Sequence, residues 1–464
     1  MSLLAIAWKS IRQRLLSSSL TAVSVALGVA LMVAVLVING VFSRMFSQDS
    51  VGYDLVVGGK GSTWQLILNT IYRVDRPIVK MPWRYYTDFI AKRPDVETAI
   101  PLAVSDTTEQ GNFPIVATTK DFFRIPYAYG KQFAIPKGQE FLRRSFDAVI
   151  GSEVARKNGW TAGSEFRIQH AGADEHVHDE KFTVRGVLAP TNTANDRTAF
   201  IEINGFFLIG DHDEPLEEAI AREMKFFNET EQQVRDRYAV DIARMAAEEA
   251  EHAGGGHDHA HHHHDHGASD LKKGVSAILL VMRGSPERPA MHQASRSGQA
   301  MKLVGELRES PAVMAVQPFQ VMLEITTSLI GNINLMLLVL TGLIIAVSGI
   351  SIFVSIYNSM ATRRREIAIM RALGAPRSSV FSVILIESLL LCLGGALLGL
   401  ALGHGLVFVA APIVEARSGF LINPFTFERA ELWLIPAMVL MATLVGFLPG
   451  LTAYRTNVAA ALTE

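Results

Sequence analysis

One cysteine in 464 residues, Cys392, set inside an apolar run, leaves no disulfide framework, and the ordinary reading is a membrane-core thiol. Charge of one sign is also missing. Forty-three basic residues against 45 acidic ones give a net charge of −2, which argues against a nucleic-acid partner. Only 19% of residues are charged while 49% are apolar, too apolar for a soluble protein and too polar for one wholly in lipid. Catalytic signatures are absent as well: there is no H-E-x-x-H pair and no G-x-S-x-G elbow. The stretch Gly58-Gly-Lys-Gly-Ser62 superficially resembles a phosphate loop. It has Asp54 where the leading glycine belongs and Gly61 where serine or threonine must follow the lysine. No other phosphate loop occurs, so an enzyme is not expected.

What is present is four long apolar stretches. They cover residues 19–42, 329–358, 379–411 and 432–452, each about long enough to cross a ~30 Å hydrocarbon core. Residues 1–18 form an amphipathic segment, with Leu4, Trp8, Ile11 and Leu15 at helical spacing beside Lys9, Arg12 and Arg14, suited to the membrane interface. The first stretch exceeds a signal-peptide core and lacks an A-x-A-like site after it, so an uncleaved anchor is expected. Arginines at 363, 364, 365, 371 and 377 fill the short segment 359–378, and basic residues precede the first span. The positive-inside rule therefore places both, and both termini, in the cytoplasm. Residues 43–328 are then outside, as are residues 412–431, and 453–464 form a cytoplasmic tail. The expected fold class is an α-helical membrane protein. It has four transmembrane helices and a large α+β extracytoplasmic domain between the first and second.

Within that domain, short β-branched or aromatic runs at 54–57, 146–150, 166–169, 182–187, 199–203 and 275–281 read as strands, and 296–310 as a helix. Residues 211–270 break the texture: a highly charged, helix-prone segment ends in three glycines and a histidine tract. It reads as an insertion, a solvated projecting arm with a low-complexity tail.

The run Arg363-Arg-Arg-Glu-Ile-Ala-Ile-Met-Arg-Ala-Leu-Gly-Ala375 and the closing Leu448-Pro-Gly-Leu-Thr-Ala-Tyr-Arg455 carry the most specific signal. With Ile150-Gly-Ser-Glu-Val-Ala-Arg-Lys-Asn-Gly159 and Phe182-Thr-Val-Arg-Gly-Val-Leu188, they make the chain resemble the type VII ABC transporter permeases, the MacB/LolC/FtsX-like family with its MacB-like periplasmic core. Asp54-Leu-Val-Val-Gly-Gly-Lys-Gly-Ser62 is similar to a segment of one branch of that family. The resemblance implies the permease subunit of a transporter in the bacterial inner membrane, a homodimer in contact with membrane lipid and driven by a separate ABC ATPase. It implies mechanotransmission, in which cytoplasmic work reshapes a periplasmic domain. The alternative it leaves open is an FtsX-like regulatory module that recruits or activates a periplasmic partner.

The residues agree with that reading. Segment 363–373 is expected to form a short amphipathic cytoplasmic helix with Ile367, Met370 and Leu373 on one side, Gly374 as its stop and Pro376 just beyond. Seated on the ATPase, Arg363, Arg364, Arg365, Glu366 and Arg371 would give that contact its polar rim. In the third span Gly395, Gly399 and Gly403 recur every four residues, a stripe that admits another helix closely. Glu387, costly in lipid, is read as pairing with the basic loop or a neighbouring helix.

Histidine is concentrated. Eight of 14 fall at 252, 257, 259, 261, 262, 263, 264 and 266, that is His252, His257, His259, His261, His262, His263, His264 and His266, interleaved with Asp258 and Asp265. His170, His176 and His178 form a looser group with nearby carboxylates. Imidazole with carboxylate suits Zn²⁺ and similar ions, so this tract, with His176 and His178, is the candidate metal-binding element. It would serve a periplasmic metal-binding or outer-membrane partner. The topology is checked by cysteine labelling: a thiol at position 158 should react from outside and one at 368 should not, and the reverse pattern contradicts this orientation.

Overall fold

The computed structural model describes the chain apart from residues 1, 46–50, 75–78, 129, 142–144, 171–176, 210–213, 255–268, 285–291, 373, 419–422, 424 and 456–464. Side chains at 42–45, 105, 248–254, 292, 329–330, 334, 355, 359–370, 372, 415–418, 453 and 455 also lie outside the description. In chain order the helices are α1 (Leu3–Gln13), α2 (Leu15–Met45), α3 (Thr63–Tyr72), α4 (Ser152–Asn158), α5 (Ile203–Phe207), α6 (Leu216–Phe227) and α7 (Glu231–Arg237). They continue with α8 (Ala239–Gly254), α9 (His292–Arg308), α10 (Pro318–Glu324), α11 (Gly331–Ala372), α12 (Arg377–Ser418) and α13 (Leu434–Arg455). The chain divides into two compact units, residues 45–325 and the remainder.

The remainder holds α1 and four helices long and apolar enough to cross a membrane: α2, α11, α12 and α13. Two of these differ from expectation. The segment 363–372 is not a separate helix but the last turns of α11, which runs unbroken for 42 residues, about 60 Å at 1.5 Å per residue. Between Gly349 and Gly374 there is neither glycine nor proline, and residues 359–372 are mostly Ala, Arg, Met, Glu and Ile, so nothing interrupts the hydrogen-bond ladder. The ladder ends where Gly374 takes a left-handed φ of 98° and Pro376 follows. Likewise α12 continues to Ser418, through Pro412, into the segment expected to be a loop; an interior proline removes one hydrogen bond without ending this helix.

Unit 45–325 is built on strands β1 (Leu55–Gly59), β2 (Met81–Pro82), β3 (Val96–Thr108), β4 (Pro114–Thr118), β5 (Lys137–Gly138), β6 (Asp147–Ile150) and β7 (Glu165–Phe166). The set is completed by β8 (Ile168–His170), β9 (Phe182–Val187), β10 (Ala199–Glu202), β11 (Gly274–Val275), β12 (Ala277–Met282) and β13 (Val313–Val316). The main path runs β13-β1-β12-β3-β4-β10-β6-β9-β5, with parallel pairs at β4–β10 and β6–β9 and the rest antiparallel. The 13-residue β3 holds it together. Its first half pairs with β12 and its second with β4 and β8, so it belongs to both lobes of the sheet. Two apolar cores follow, one around Leu55, Ile278, Leu280 and Leu303, the other around Phe113, Ile150, Phe182 and Ile201.

The charged segment is a docked element with a small core of its own, not a solvated arm. Helices α6–α8 bury Ala219, Ile220, Val234, Tyr238 and Leu271 together. Along α6 the apolar stripe Leu216, Ala219, Ile220 and Phe227 includes Glu223, and this charged residue on an apolar face was the available sequence signal. Arg84 meets it there, 3.2 Å from Glu223 and 3.0 Å from Glu229, its guanidinium lying 3.7 Å from the Phe227 ring centroid. Arg222 donates to the carbonyls of Leu271 and Lys273 at 2.7 and 3.1 Å and pairs with Glu214. Ser269, beyond the histidine tract, donates to Asp241 at the start of α8. Burial pushes the Glu223 carboxyl up to about 7 despite Arg84 and Arg222. The folded arm thus holds a proton that the unfolded chain, near 4.5, has released. Its stability is fullest below that value and falls as pH rises towards 7. Hydrogen exchange in α6–α8 of the full chain, corrected for intrinsic rates, should accelerate from pH 5 to 7.5, and Glu223→Gln should flatten the profile; a pH-independent wild type contradicts the assignment.

Candidate functional site

The segment expected to contact the ATPase is led in by continuous helix. The main chain of 363–372 is helical throughout, and the Gly374 N–H donates to the Arg371 carbonyl at 3.1 Å, closing the last turn. Side chains of Arg363, Arg364, Arg365, Glu366, Ile367 and Met370, and the whole of Leu373, lie outside the described residues. Beside this turn α12 and α13 are fastened. The Arg377 guanidinium lies 5.8 Å from the Tyr454 ring centroid, Phe381 meets Phe447 edge-on at 6.0 Å, and a Cβ on Gly450 would sit 2.8 Å from Phe381.

The glycine stripe faces a valine stripe. A Cβ on Gly395, Gly399 or Gly403 would meet Val25, Val29 or Val33 of α2 at 2.8, 2.7 and 2.7 Å, distances that real Cβ atoms do not adopt. It would also crowd the carbonyls of Ala22, Ala26 and Ala30, at 2.9, 2.6 and 2.9 Å. The pairing advances four residues on each helix at every step, so α2 and α12 run parallel. Parallel first and third spans are what a chain requires when its second span crosses back between them.

Polar groups tie down both ends of α12, and sequence reasoning named only part of them. Near the α1 end the Ser10 hydroxyl donates to Glu387 at 3.0 Å, both residues buried. The next residue, Ser388, donates to the Ala442 carbonyl of α13 at 3.1 Å in the space left by Gly446. At the other end His404 donates from Nε2 to the fully buried Glu431 at 3.0 Å, and the second Glu431 oxygen accepts the Glu428 N–H. Glu428 in turn occupies the space that a side chain at Gly40 would fill. Such partners are brought together by tertiary packing, so spacing along the sequence carries no trace of them.

Of the histidines, His170 and His178 come together, their rings edge-to-face with centroids 4.7 Å apart. His170 donates from Nδ1 to the buried Asp106 at 3.1 Å, the kind of contact that fixes a tautomer. His252 lies in the last turn of α8 with its side chain outside the description. His176, His257, His259, His261, His262, His263, His264 and His266 lie outside the described residues altogether. Among the described residues no group of three or more metal-capable side chains is assembled.

Comparison with known proteins places this arrangement. Residues 338–458 match the FtsX-like permease C-terminal family, and residues 18–249, half of the chain, match the MacB-like periplasmic core domain family. The uncharacterized ABC transporter permease YknZ of Bacillus subtilis is 35% identical over 96 residues, 21% of each chain. The ABC transporter permease YtrF of the same organism is 30% identical over 155 residues, 30% of this chain and 36% of its own. The macrolide export ATP-binding/permease protein MacB of Burkholderia cenocepacia is 29% identical over 131 residues, 27% of this chain and 18% of its own. These matches thus span only about a fifth to a third of the relatives' length. A crystal structure of the periplasmic region of MacB from Actinobacillus actinomycetemcomitans aligns with 60% of this chain and 95% of its own at 9% identity, with a TM-score of 0.32. On the two domain matches, the chain belongs to the type VII ABC transporter permeases, the FtsX-like membrane proteins that carry a MacB-like periplasmic core domain.

Proposed function

We propose that this permease converts ATP binding and hydrolysis on a separate ABC ATPase subunit into movement of its extracytoplasmic domain, in the bacterial inner membrane with both termini cytoplasmic. One observation carries the reading: α11 is a single helix from Gly331, six residues after the end of unit 45–325, to Ala372 in the basic segment. A displacement at one end of an unbroken helix reaches the other without a hinge to absorb it. Arg363, Arg364, Arg365, Glu366, Ile367, Met370, Arg371, Leu373 and Gly374 are assigned to the ATPase contact, the apolar pair Ile367 and Met370 at its centre. Two copies pair through their spans to engage two ATPase subunits. No span carries a polar stripe that would suggest a pore, which favours work done on the outer domain over passage of a solute through the membrane centre.

The histidine tract links this movement to zinc or a related divalent ion. Support comes from eight histidines in 15 residues, joined to a helix that the arm holds in place at Tyr238 and Asp241. Their imidazoles, with Asp258 and Asp265, would supply interchangeable ligands, as in a buffer or sensor, for cargo shared with a periplasmic metal-binding partner.

Two experiments test these assignments. Replacing Ile367 and Met370 together with aspartate should cost several kcal/mol of ATPase binding and abolish stimulated hydrolysis while the permease stays folded; continued co-purification with full stimulation would remove this helix from the contact. Calorimetry on the full chain should detect zinc at more than one equivalent, weakening as pH falls through ~6.5 where imidazoles protonate. Deleting 252–266 should abolish that uptake and leave ATPase coupling intact; unchanged uptake after deletion would remove the tract from the metal reading.

A further inference from the structure

Helix α1 ends just before the first span, and its surface divides into three sectors. Ala7 and Ser10 are its buried residues. The Ser10 hydroxyl donates to Glu387 of α12 at 3.0 Å, which fixes how α1 is rotated about its own axis. At about 100° per residue, Ile11, Leu4 and Trp8 follow one another around the helix beyond Ala7, within about 60°. Ile11 is half-buried, whereas Leu4 and Trp8 are 60% and 51% exposed. Arg12 and then Lys9 come next around the circumference, and both are exposed. The Arg12 guanidinium lies 5.9 Å from the Trp8 ring centroid.

The chain bends at Arg14, with φ −128° and ψ 45°, and enters α2 through Leu15, Leu16 and Leu20, all exposed. Uncovered apolar surface thus continues from α1 into the first span, and the basic sector borders it where that span enters the bilayer. Charge here has one sign. α1 contains no acidic residue, and the first in the chain is Asp49. Glu387, the carboxylate that packing brings to α1, accepts from Ser10, about 100° around the helix from Lys9 and further still from Arg12. Among the described residues neither Lys9 nor Arg12 pairs with a carboxylate. A helix with an apolar sector beside a basic one lies in the membrane interface and is drawn to anionic headgroups. Tryptophan suits the headgroup level, and long basic side chains reach from an apolar flank to phosphates. A guanidinium also matches phosphate geometry.

We propose that Lys9 and Arg12, beside Trp8, dock the headgroup of an anionic phospholipid, so that α1 distinguishes anionic from zwitterionic membranes. This contact depends on the chain's membrane location, and on neither the proposed ATPase coupling nor the proposed orientation.

Amide hydrogen exchange of the full chain tests it, in nanodiscs of phosphatidylcholine alone and of an equimolar mixture with phosphatidylglycerol. Across residues 3–13 exchange should be about tenfold slower in the anionic discs at low ionic strength. High salt should erase that difference. In the double variant Lys9→Gln/Arg12→Gln, which alters only exposed side chains, the two discs should give the same rate. Failure of the chain to enter either disc would contradict its membrane location and the lipid contact with it. Entry with equal exchange in both discs overturns the lipid contact alone, and leaves this surface to a protein such as the ATPase, which the discs lack. A slowing that the double variant retains in full overturns it as well, since the anionic lipid would then act elsewhere on the chain.

Discussion

Span one meets span three through its backbone. Glycine at 395, 399 and 403 leaves Val25, Val29 and Val33 nowhere to go but the space where three side chains would otherwise stand, against the carbonyls of Ala22, Ala26 and Ala30. In lipid there is no hydrophobic gain from pressing two apolar helices together, so close van der Waals contact has to supply the association, and small residues are what permit it. The membrane unit depends on this contact. It sets α2 parallel to α12, and the polar ties follow that line: Ser10 to Glu387 at one end, Glu428 against Gly40 and His404 to Glu431 at the other.

Against that parallel pair, α11 is attached differently. Gly28 admits Ile344 and Ile345 at ordinary contact distances, and Ser24 and Ser348 share hydrogen bonds. No repeated close approach to α2 comparable to the α12 stripe occurs along it among the described residues. A helix held by ordinary side-chain packing can slide or tilt at lower cost than one keyed in at three successive turns. That contrast supports assigning the moving part to α11, which also runs from Gly331 into the basic segment without a break.

Much of this was legible in the sequence because lipid imposes simple rules. Uninterrupted apolar length marked the spans, a four-residue glycine period marked the packing face, and Gly374 with Pro376 marked the helix stop. What misled was the charge boundary near residue 359: a change from apolar to basic residues was read as a change of element, whereas helix propensity never falls there. In the outer unit, β6, β9, β10 and β12 were readable as short β-branched runs. The longest strand, β3, was not, because Pro101 sits in its middle and proline argues against a central strand. Here Pro101 is taken into the ladder opposite Ile278 of β12, two residues before pairing with β4 begins at Ala103. Arg84, Glu431 and Gly40 carried no local signal, since each acts through a partner far away in the chain.

Continuity of α11 is the account's central claim, and it can be interrupted directly. Spin labels at Lys181 in the two copies of the proposed homodimer, reconstituted with the ATPase in nanodiscs, would report the separation of the outer domains. In the wild type that distance should change on binding a non-hydrolysable ATP analogue. In a variant with Met360 and Ala361 both replaced by glycine, the ATPase should still bind and the distance should no longer respond. An equal nucleotide-driven change in the glycine variant would contradict transmission along this helix.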